Sequence, residues 1–387
     1  MKFKNLCRLL VATIAACISG FLLVQCGGEK LVSHIVGVEE DFYLKYYYAW
    51  HNSRIHADSS SGNPYSNKKI VIYDISNLET RAEVANVLDF IYACDPKVIA
   101  LDVLYRPNLE IKDTLNEKLV ETVKRIQNKL VAPLRENLYP YFKNDKSVDS
   151  VVYARPVRHY YYDYIPISDS LFSWATVYKY IGNKSLDFPL KARVNYISKS
   201  FPCYNNMTDT TWLRRAMKDK VVIVGDLNTP SDYMMTPFII AGVNEDNNRN
   251  AYNNDMPGTI NIAYVLNSII SYIDQNNIDW TTVKKRYNNP LFDISLGVNL
   301  LISFFFCCLY LLLLNVLNKS KESLSAIRVR RLLGPVVLIV YETIVVFLCF
   351  ILTLYAGRVP DLLLFMISVL FVELYNDLLL TINYFKK

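Results

Sequence analysis

Long apolar runs are confined to the two ends of the chain, whereas the middle mixes polar and apolar residues as soluble proteins do. The runs cover approximately residues 9–26, 291–317, 336–356 and 362–380. A helix needs about 20 apolar residues to cross the hydrocarbon core of a bilayer. The pattern therefore predicts four transmembrane helices, one in the N-terminal segment 1–29 and three in the C-terminal segment 291–387.

The middle segment, residues 30–290, alternates short β-branched runs with stretches of helical periodicity. Ile70–Asp74, Val98–Asp102 and Val221–Asp226 are typical of buried strands. Between the first two strands, apolar residues recur at the spacing of one helical face, which predicts a β-α-β unit with parallel strands. We therefore predict an α/β domain, with a mainly parallel sheet and helices on its faces.

Two further helices are predicted from the same spacing. One follows the second strand and has an apolar face formed by Leu115, Leu119, Val123, Ile126 and Leu130. The other ends the domain and has an apolar face formed by Ile262, Leu266, Ile269 and Ile273. Both are amphipathic, as expected of helices that cover a sheet.

Basic residues near the apolar runs indicate the orientation of the spans. One side of the four-span arrangement holds Lys2, Lys4, Arg8, Lys319, Lys321, Arg328, Arg330, Arg331, Lys386 and Lys387, and the other holds Lys30, Lys284, Lys285, Arg286 and Arg358. Because basic residues are enriched on the cytoplasmic side, we expect both termini in the cytoplasm and the middle domain outside it. Anionic lipid also explains much of the net charge of +6, so we expect no nucleic-acid partner.

Motifs of common enzymes and metal sites are absent from the sequence. It contains no GxGxxG or GxxxxGK[ST] phosphate loop, no HExxH, no GxSxG and no CxxC. We therefore predict that the protein is not an enzyme and expect no catalytic residue, no metal and no cofactor.

Most of the eight cysteines lie in or beside the apolar runs. Cys94 and Cys203, in the middle domain, either form a disulfide or remain unpaired thiols. Cys26 raises the question of lipoprotein cleavage, but Leu23-Val24-Gln25 precedes it instead of small residues. This mismatch disfavours lipidation; the four-span arrangement takes the segment as a signal anchor, and a cleaved signal is the alternative.

Acidic residues follow three of the predicted strands. Asp74, Asp102 and Asp226 are predicted at the ends of these strands, and Asp232 comes shortly afterwards. Ligands of parallel α/β sheets bind at the carboxyl ends of the strands, so these four residues are the candidate binding site for a cation or a cationic small molecule. The alternative is that each aspartate caps a helix or orders a turn.

Carboxylates also lie within the predicted spans, at Glu342, Glu373 and Asp377. Burying an ionised carboxylate in a bilayer is costly, so these residues should face other helices or water. They fit either a proton or ion path or, more simply, bonds between neighbouring helices.

The middle domain resembles the CHASE2 family of extracellular sensory modules in bacterial membrane receptors, over roughly residues 32–285. The resemblance rests on residues 70–74, Arg81, 97–102, Asp113, Leu115, 193–196, 201–204, 219–225, Asp232, 236–237, 256–260 and Ala263. The arrangement of one preceding and three following spans also fits. Asp226 departs from the family, which usually has a small residue there.

The resemblance implies a multi-pass protein of the bacterial inner membrane that senses an unidentified small molecule outside the cytoplasm. The sequence ends at Lys387, soon after the last predicted span. We therefore expect no output domain of its own, and expect signalling through a cytoplasmic or membrane partner. The alternative is a structural or assembly protein of the envelope that uses the domain as a docking surface.

Overall fold

The computed structural model describes part of the chain in detail. The described residues are 11, 14–19, 22, 67–103, 114–133, 165, 171–182, 188, 192–196, 201–207, 210–229, 233–234, 256–274, 291–317, 324–356 and 358–385. The chain forms two compact units, one of residues 48–290 and one of residues 1–47 with 291–387. We call them the α/β unit and the helical unit.

The α/β unit alternates strands and helices. In chain order its elements are β1 (Ile70–Asp74), α1 (Arg81–Ala93), β2 (Val98–Asp102), α2 (Thr114–Ile126), β3 (Leu130–Val131), α3 (Phe172–Ile181), β4 (Ala192–Arg193), β5 (Cys203–Tyr204), α4 (Thr210–Met217), β6 (Val221–Gly225), β7 (Tyr233–Met234), β8 (Met256–Pro257) and α5 (Gly258–Asp274). Strands β1 and β2 have the predicted bounds, and β6 ends at Gly225, one residue before the predicted end.

A five-stranded sheet with the order β3-β2-β6-β1-β5 forms the centre of this unit. Its four pairings are all parallel, which confirms the predicted α/β class. In the register of β6 with its two neighbours, Asp74 and Asp102 both lie opposite Gly225. The carboxyl ends of β1, β6 and β2 therefore lie side by side.

Helices cover both faces of the sheet because its side chains alternate between two apolar layers. On one face, Val71, Ile99 and Val222 pack in a core with residues of α1, α2 and α4. The predicted apolar face of α1 is buried in this core. On the other face, α5 contacts β1 and β6, and α3 contacts β2 and α5.

Helix α1 begins with a capping box. The Thr80 hydroxyl accepts a hydrogen bond from the Glu83 amide at 3.2 Å, and the Glu83 carboxylate accepts one from the Thr80 amide at 2.9 Å. These bonds satisfy amide groups that a helix start otherwise leaves unpaired. The same bonds hold the pKa of Glu83 below its ordinary value.

We predict that Thr80→Ala lowers the free energy of unfolding by about 1 kcal/mol, because the cap is lost, whereas Thr80→Ser retains it. Glu83 stabilises the fold fully above its ordinary pKa of 4.5, and this contribution is lost as the pH falls through the lowered value. Thermal unfolding of the three proteins at neutral and acidic pH measures both effects. Equal stability of Thr80→Ala and wild type at neutral pH would contradict the assigned cap.

The helical unit consists of β9 (Leu291–Asp293), α6 (Leu296–Leu317), α7 (Leu324–Ala356), β10 (Arg358–Val359) and α8 (Leu362–Phe385), together with helical residues at 14–19. Strands β9 and β10 pair in parallel. Two stretches, Leu296–Leu314 and Gly334–Thr353, are long and apolar enough to cross a membrane.

The sequence predicted four spans, and the described residues meet the criterion in two. In α8, the apolar stretch within the described residues is Leu364–Tyr375, which is below the length criterion. In the N-terminal run, only residues 11, 14–19 and 22 are described.

Glu373 joins the three long helices of the helical unit. The Tyr310 hydroxyl on α6 donates to its carboxylate at 3.0 Å, and Oε1 lies 2.9 Å from the position that a Cβ at Gly334 of α7 would occupy. Of the two roles considered for Glu373, the structure therefore shows a hydrogen bond between neighbouring helices. Residues 14–19 contact α6 as well, since Cys17 Sγ lies 3.9 Å from both Ser303 Oγ and Cys307 Sγ.

Candidate functional site

Three of the four predicted site residues lie together at the carboxyl edge of the parallel sheet. Asp74 ends β1, Asp102 ends β2, and Asp226 follows β6, the strand between them. All three are half-buried. Asp232 lies outside the described residues. These three residues share the edge because the carboxyl ends of adjacent parallel strands lie side by side.

Asp74 and Asp226 each order the loop that follows their strand. Asp74 accepts hydrogen bonds from the Ser76 amide at 2.9 Å, the Ser76 hydroxyl at 3.0 Å and the Leu227 amide at 3.3 Å. Asp226 accepts from the amides of Asn228 and Thr229 at 2.7 and 3.1 Å. These bonds match the turn-ordering alternative. Ligand binding by either carboxylate stays a prediction.

The two loops are also tied to each other. The side-chain amide of Asn228 donates to the Ser76 hydroxyl at 2.8 Å. Because Ser76 is bonded to Asp74 and Asn228 to Asp226, a displacement of either carboxylate is transmitted to the other loop. The loops after β1 and β6 therefore form one hydrogen-bonded rim at this edge.

Asp102 differs from the other two because it bonds a helix that is distant in sequence. The hydroxyl of Thr259, in the first turn of α5, donates to Asp102 Oδ2 at 2.5 Å. Thr259 is fully buried. A carboxylate at the N-terminus of a helix is also favoured by the helix dipole. Asp102 thus connects the carboxyl edge of the sheet to the start of α5.

Gly225 makes this contact sterically possible. A Cβ at Gly225 would lie 2.3 Å from Thr259 Oγ1 and 2.8 Å from Thr259 Cγ2. These separations are far below van der Waals contact, so only glycine leaves room for the Thr259 side chain. The last residue of the central strand is therefore fixed by the packing of α5.

The carboxylate oxygens at this edge are potential acceptors for the hydrogen bonds of a cationic group. Among the described residues, no group of three or more histidine, cysteine or acidic residues could hold a metal. Several carboxylate lone pairs are already used by amides and hydroxyls, but an ammonium group needs only one or two acceptor oxygens.

Comparison with known families identifies the domain. The model of the CHASE2 domain matches residues 68–301, well over half of the chain. The chain belongs to the CHASE2 family. No curated protein and no solved structure matches it. The match confirms the resemblance noted from the sequence, and it makes the α/β unit a domain of an extracellular sensory family.

The CHASE2 domain also has a buried polar face on α5 that sequence reasoning missed. The Tyr196 hydroxyl donates to Asn261 Oδ1 at 2.7 Å, and the Asn195 amide donates to the Ser268 hydroxyl at 3.0 Å. The Asn67 side chain donates to Asn267 Oδ1 at 2.7 Å. The signal that could have revealed this face is the presence of small polar residues between the apolar positions of α5. A helix whose polar face is solvated does not require its polar residues to be small.

Both cysteines of the CHASE2 domain are free. Cys94 is buried, and burial raises the pKa of its thiol. Cys203 lies on the edge strand β5 and is exposed. The structure therefore shows the unpaired alternative for this pair.

Proposed function

We propose that this protein is a membrane-anchored sensor whose CHASE2 domain binds a cationic small molecule at the carboxyl edge of its sheet. The observation that carries the proposal is the bond from Thr259 to Asp102. It joins the candidate binding edge to α5, the last helix of the domain within the described residues. The family, which consists of extracellular sensory domains, supports the sensory role.

The proposed signal is a change at the start of α5. A cationic ligand at the edge competes with the Thr259 hydroxyl for Asp102, and α5 then shifts against the sheet. A ligand biases such an equilibrium only if it binds the two states with different affinities. The buried polar bonds along α5 define one state, because each is lost or remade when the helix moves.

We further propose the arrangement of one preceding and three following spans, with both termini in the cytoplasm and the domain outside. Two helices that meet the length and hydropathy criterion support membrane attachment. The contact of Cys17 with Ser303 and Cys307 supports an N-terminal helix beside α6. We propose that the shift of α5 passes through these helices to a partner protein in or on the inner membrane.

A docking role in the envelope is the second candidate, and one observation favours it. Trp212 of α4 is 51% exposed, although large aromatic residues are usually buried. Its ring lies 4.9 Å from that of Tyr204 on the edge strand β5, and Met207 nearby is also exposed. An exposed aromatic beside an unpaired strand edge fits protein–protein contact.

A panel of probes tests the sensor proposal. The full chain, purified in a neutral detergent, is heated with putrescine, choline, magnesium or calcium ions, or the neutral 1,4-butanediol. We expect an amine to raise the melting temperature, because a ligand at 100 times its Kd adds about 2.7 kcal/mol of stability, and the diol to have no effect.

Charge-removing variants locate the binding. Asp102→Asn should abolish the shift because it removes the anionic oxygens, whereas Glu121→Gln, which removes an exposed charge from α2, should retain it. If no cationic probe shifts the melting temperature, the cationic-ligand proposal is wrong.

If Trp212→Ser, and not Asp102→Asn, removes the proteins that co-purify with the chain from its native membrane, the docking role is favoured.

A further inference from the structure

A row of lysines lies along the amino edge of the sheet, opposite the candidate binding edge. Lys69, Lys97, Lys129 and Lys220 each come directly before a strand: β1, β2, β3 and β6. Backbone hydrogen bonds place them side by side. The Lys97 amide donates to the Lys220 carbonyl at 2.9 Å, Val221 to that of Lys69 at 2.9 Å, and Ile99 to that of Lys129 at 2.8 Å. We call these four residues the lysine row.

Positive charge is in excess at this edge. The turns before the four strands contain Lys68, Lys69, Lys97, Lys129, Lys218 and Lys220, but only two acidic residues, Asp95 and Asp219. Asp95 is paired with Lys129, and Lys97 lies over the Tyr180 ring at 4.6 Å. Burial and the neighbouring Lys97 lower the pKa of Lys69, and burial lowers that of Lys220.

The ends of α1, α2 and α4 offset part of this charge, because helix C-termini are partly negative. Lys179 of α3 is held nearby, since its ammonium donates to the carbonyl of Gln127, just after α2, at 3.0 Å and to that of Leu130 in β3 at 2.7 Å. The charge of Lys97 contributes, after burial, to the lowered pKa of Lys69. An anion at this edge would stabilise both ammonium groups.

Both ends of the described domain lie at the lysine row. Helix α5 begins at the carboxyl edge, where Thr259 meets Asp102. Its later half reaches the amino edge, because Asn267 bonds Asn67, whose side chain also accepts from the amides of Lys69 and Ile70. The described chain therefore enters β1 and leaves α5 at the edge that carries the lysines, and in the sequence one apolar run precedes it and others follow it.

We propose that the lysine row binds the phosphate groups of anionic lipids at the bilayer surface. Lysine ammonium groups are compact charges that pair with phosphates, and basic segments next to membrane spans are attracted to anionic lipid. We choose a lipid surface rather than a soluble anion because the described chain enters β1 and leaves α5 at this edge, and apolar runs precede and follow the domain in the sequence. This binding is independent of the ligand proposed for the opposite edge.

Amine footprinting of the unmodified full chain tests the proposal. The chain is reconstituted in nanodiscs of pure phosphatidylcholine, or with two-fifths phosphatidylglycerol, and is briefly acetylated before mass spectrometry. We expect acetylation of Lys69, Lys97 and Lys220 to fall several-fold in the anionic discs. Lys118, an exposed lysine near the start of α2, serves as the internal control and should not change.

Two further arms make the result decisive. Inorganic phosphate added to the phosphatidylcholine discs should not reproduce the protection. In Lys69→Gln/Lys97→Gln, protection of Lys220 should be lost, whereas Lys69→Arg/Lys97→Arg and the equal-charge control Arg81→Gln/Lys118→Gln should keep it. Equal acetylation of the row in both discs, or protection by free phosphate alone, would overturn the proposal.

Discussion

Gly225→Ala should destabilise the CHASE2 domain by about 3 kcal/mol, at the upper end of the usual cost of overpacking a core. The added methyl group would lie 2.3 Å from Thr259 Oγ1 and 3.1 Å from Thr259 Cβ. The neighbour cannot rotate away freely, because Thr259 is fully buried and bonded to Asp102. Chemical or thermal unfolding of the full chain in detergent measures the loss.

A double variant separates this clash from a general effect on the strand. Thr259→Ala alone loses one hydrogen bond, worth about 1 kcal/mol. Gly225→Ala/Thr259→Ala should be more stable than Gly225→Ala, because the second change removes the atoms that clash. Residues in direct contact show such non-additivity, and distant residues do not. Additive losses would contradict the packing of α5 on the end of β6.

Asn67→Ala should cost about 2–5 kcal/mol, because one side chain satisfies several backbone and side-chain groups. Asn67 Oδ1 accepts from the amides of Lys69 and Ile70 at 2.8 and 2.9 Å, and its Nδ2 donates to Asn267. Leaving buried polar groups unpaired costs about 1–3 kcal/mol for each. Unfolding of the full chain, at one pH and one detergent concentration, gives the value.

Asn67→Asp is the matched control for this site. It keeps the acceptor oxygen for the two amides but replaces the donor to Asn267, so its loss should be smaller than that of Asn67→Ala. If both variants are as stable as wild type, the start of β1 is not held to α5 as described. The same variants probe the proposed signal, because this contact joins the start of β1 to α5.

The strands that form the centre of the fold were predictable from local composition. Ile70–Asp74, Val98–Asp102 and Val221–Gly225 are β-branched runs buried on both faces, and such strands have few alternatives. The edge strand β5 was not predicted, since Cys203–Tyr204 is too short to show a period. Its place is fixed by pairing with β1, which is a tertiary interaction.

The candidate site was predictable in its location but not in its bonds. Strand-end aspartates identified the edge because parallel strands share it. The partner of Asp102, in contrast, is Thr259, which is far away in sequence and lies in a helix predicted only from its apolar face. Pairing between distant polar residues leaves no periodic signal in the sequence. The role of Gly225 and the polar face of α5 could therefore be recognised only in the structure.

The location of the CHASE2 domain outside the cytoplasm is central to the proposed sensor, and it can be measured on the full chain. Lys118→Cys introduces a thiol at an exposed position of α2. Spheroplasts with an intact inner membrane are treated with a membrane-impermeant maleimide, and labelling above that of the wild-type chain is recorded. The account predicts that the new thiol is labelled as fully before permeabilisation of the membrane as after it. Labelling only after permeabilisation would place the domain in the cytoplasm and contradict the account.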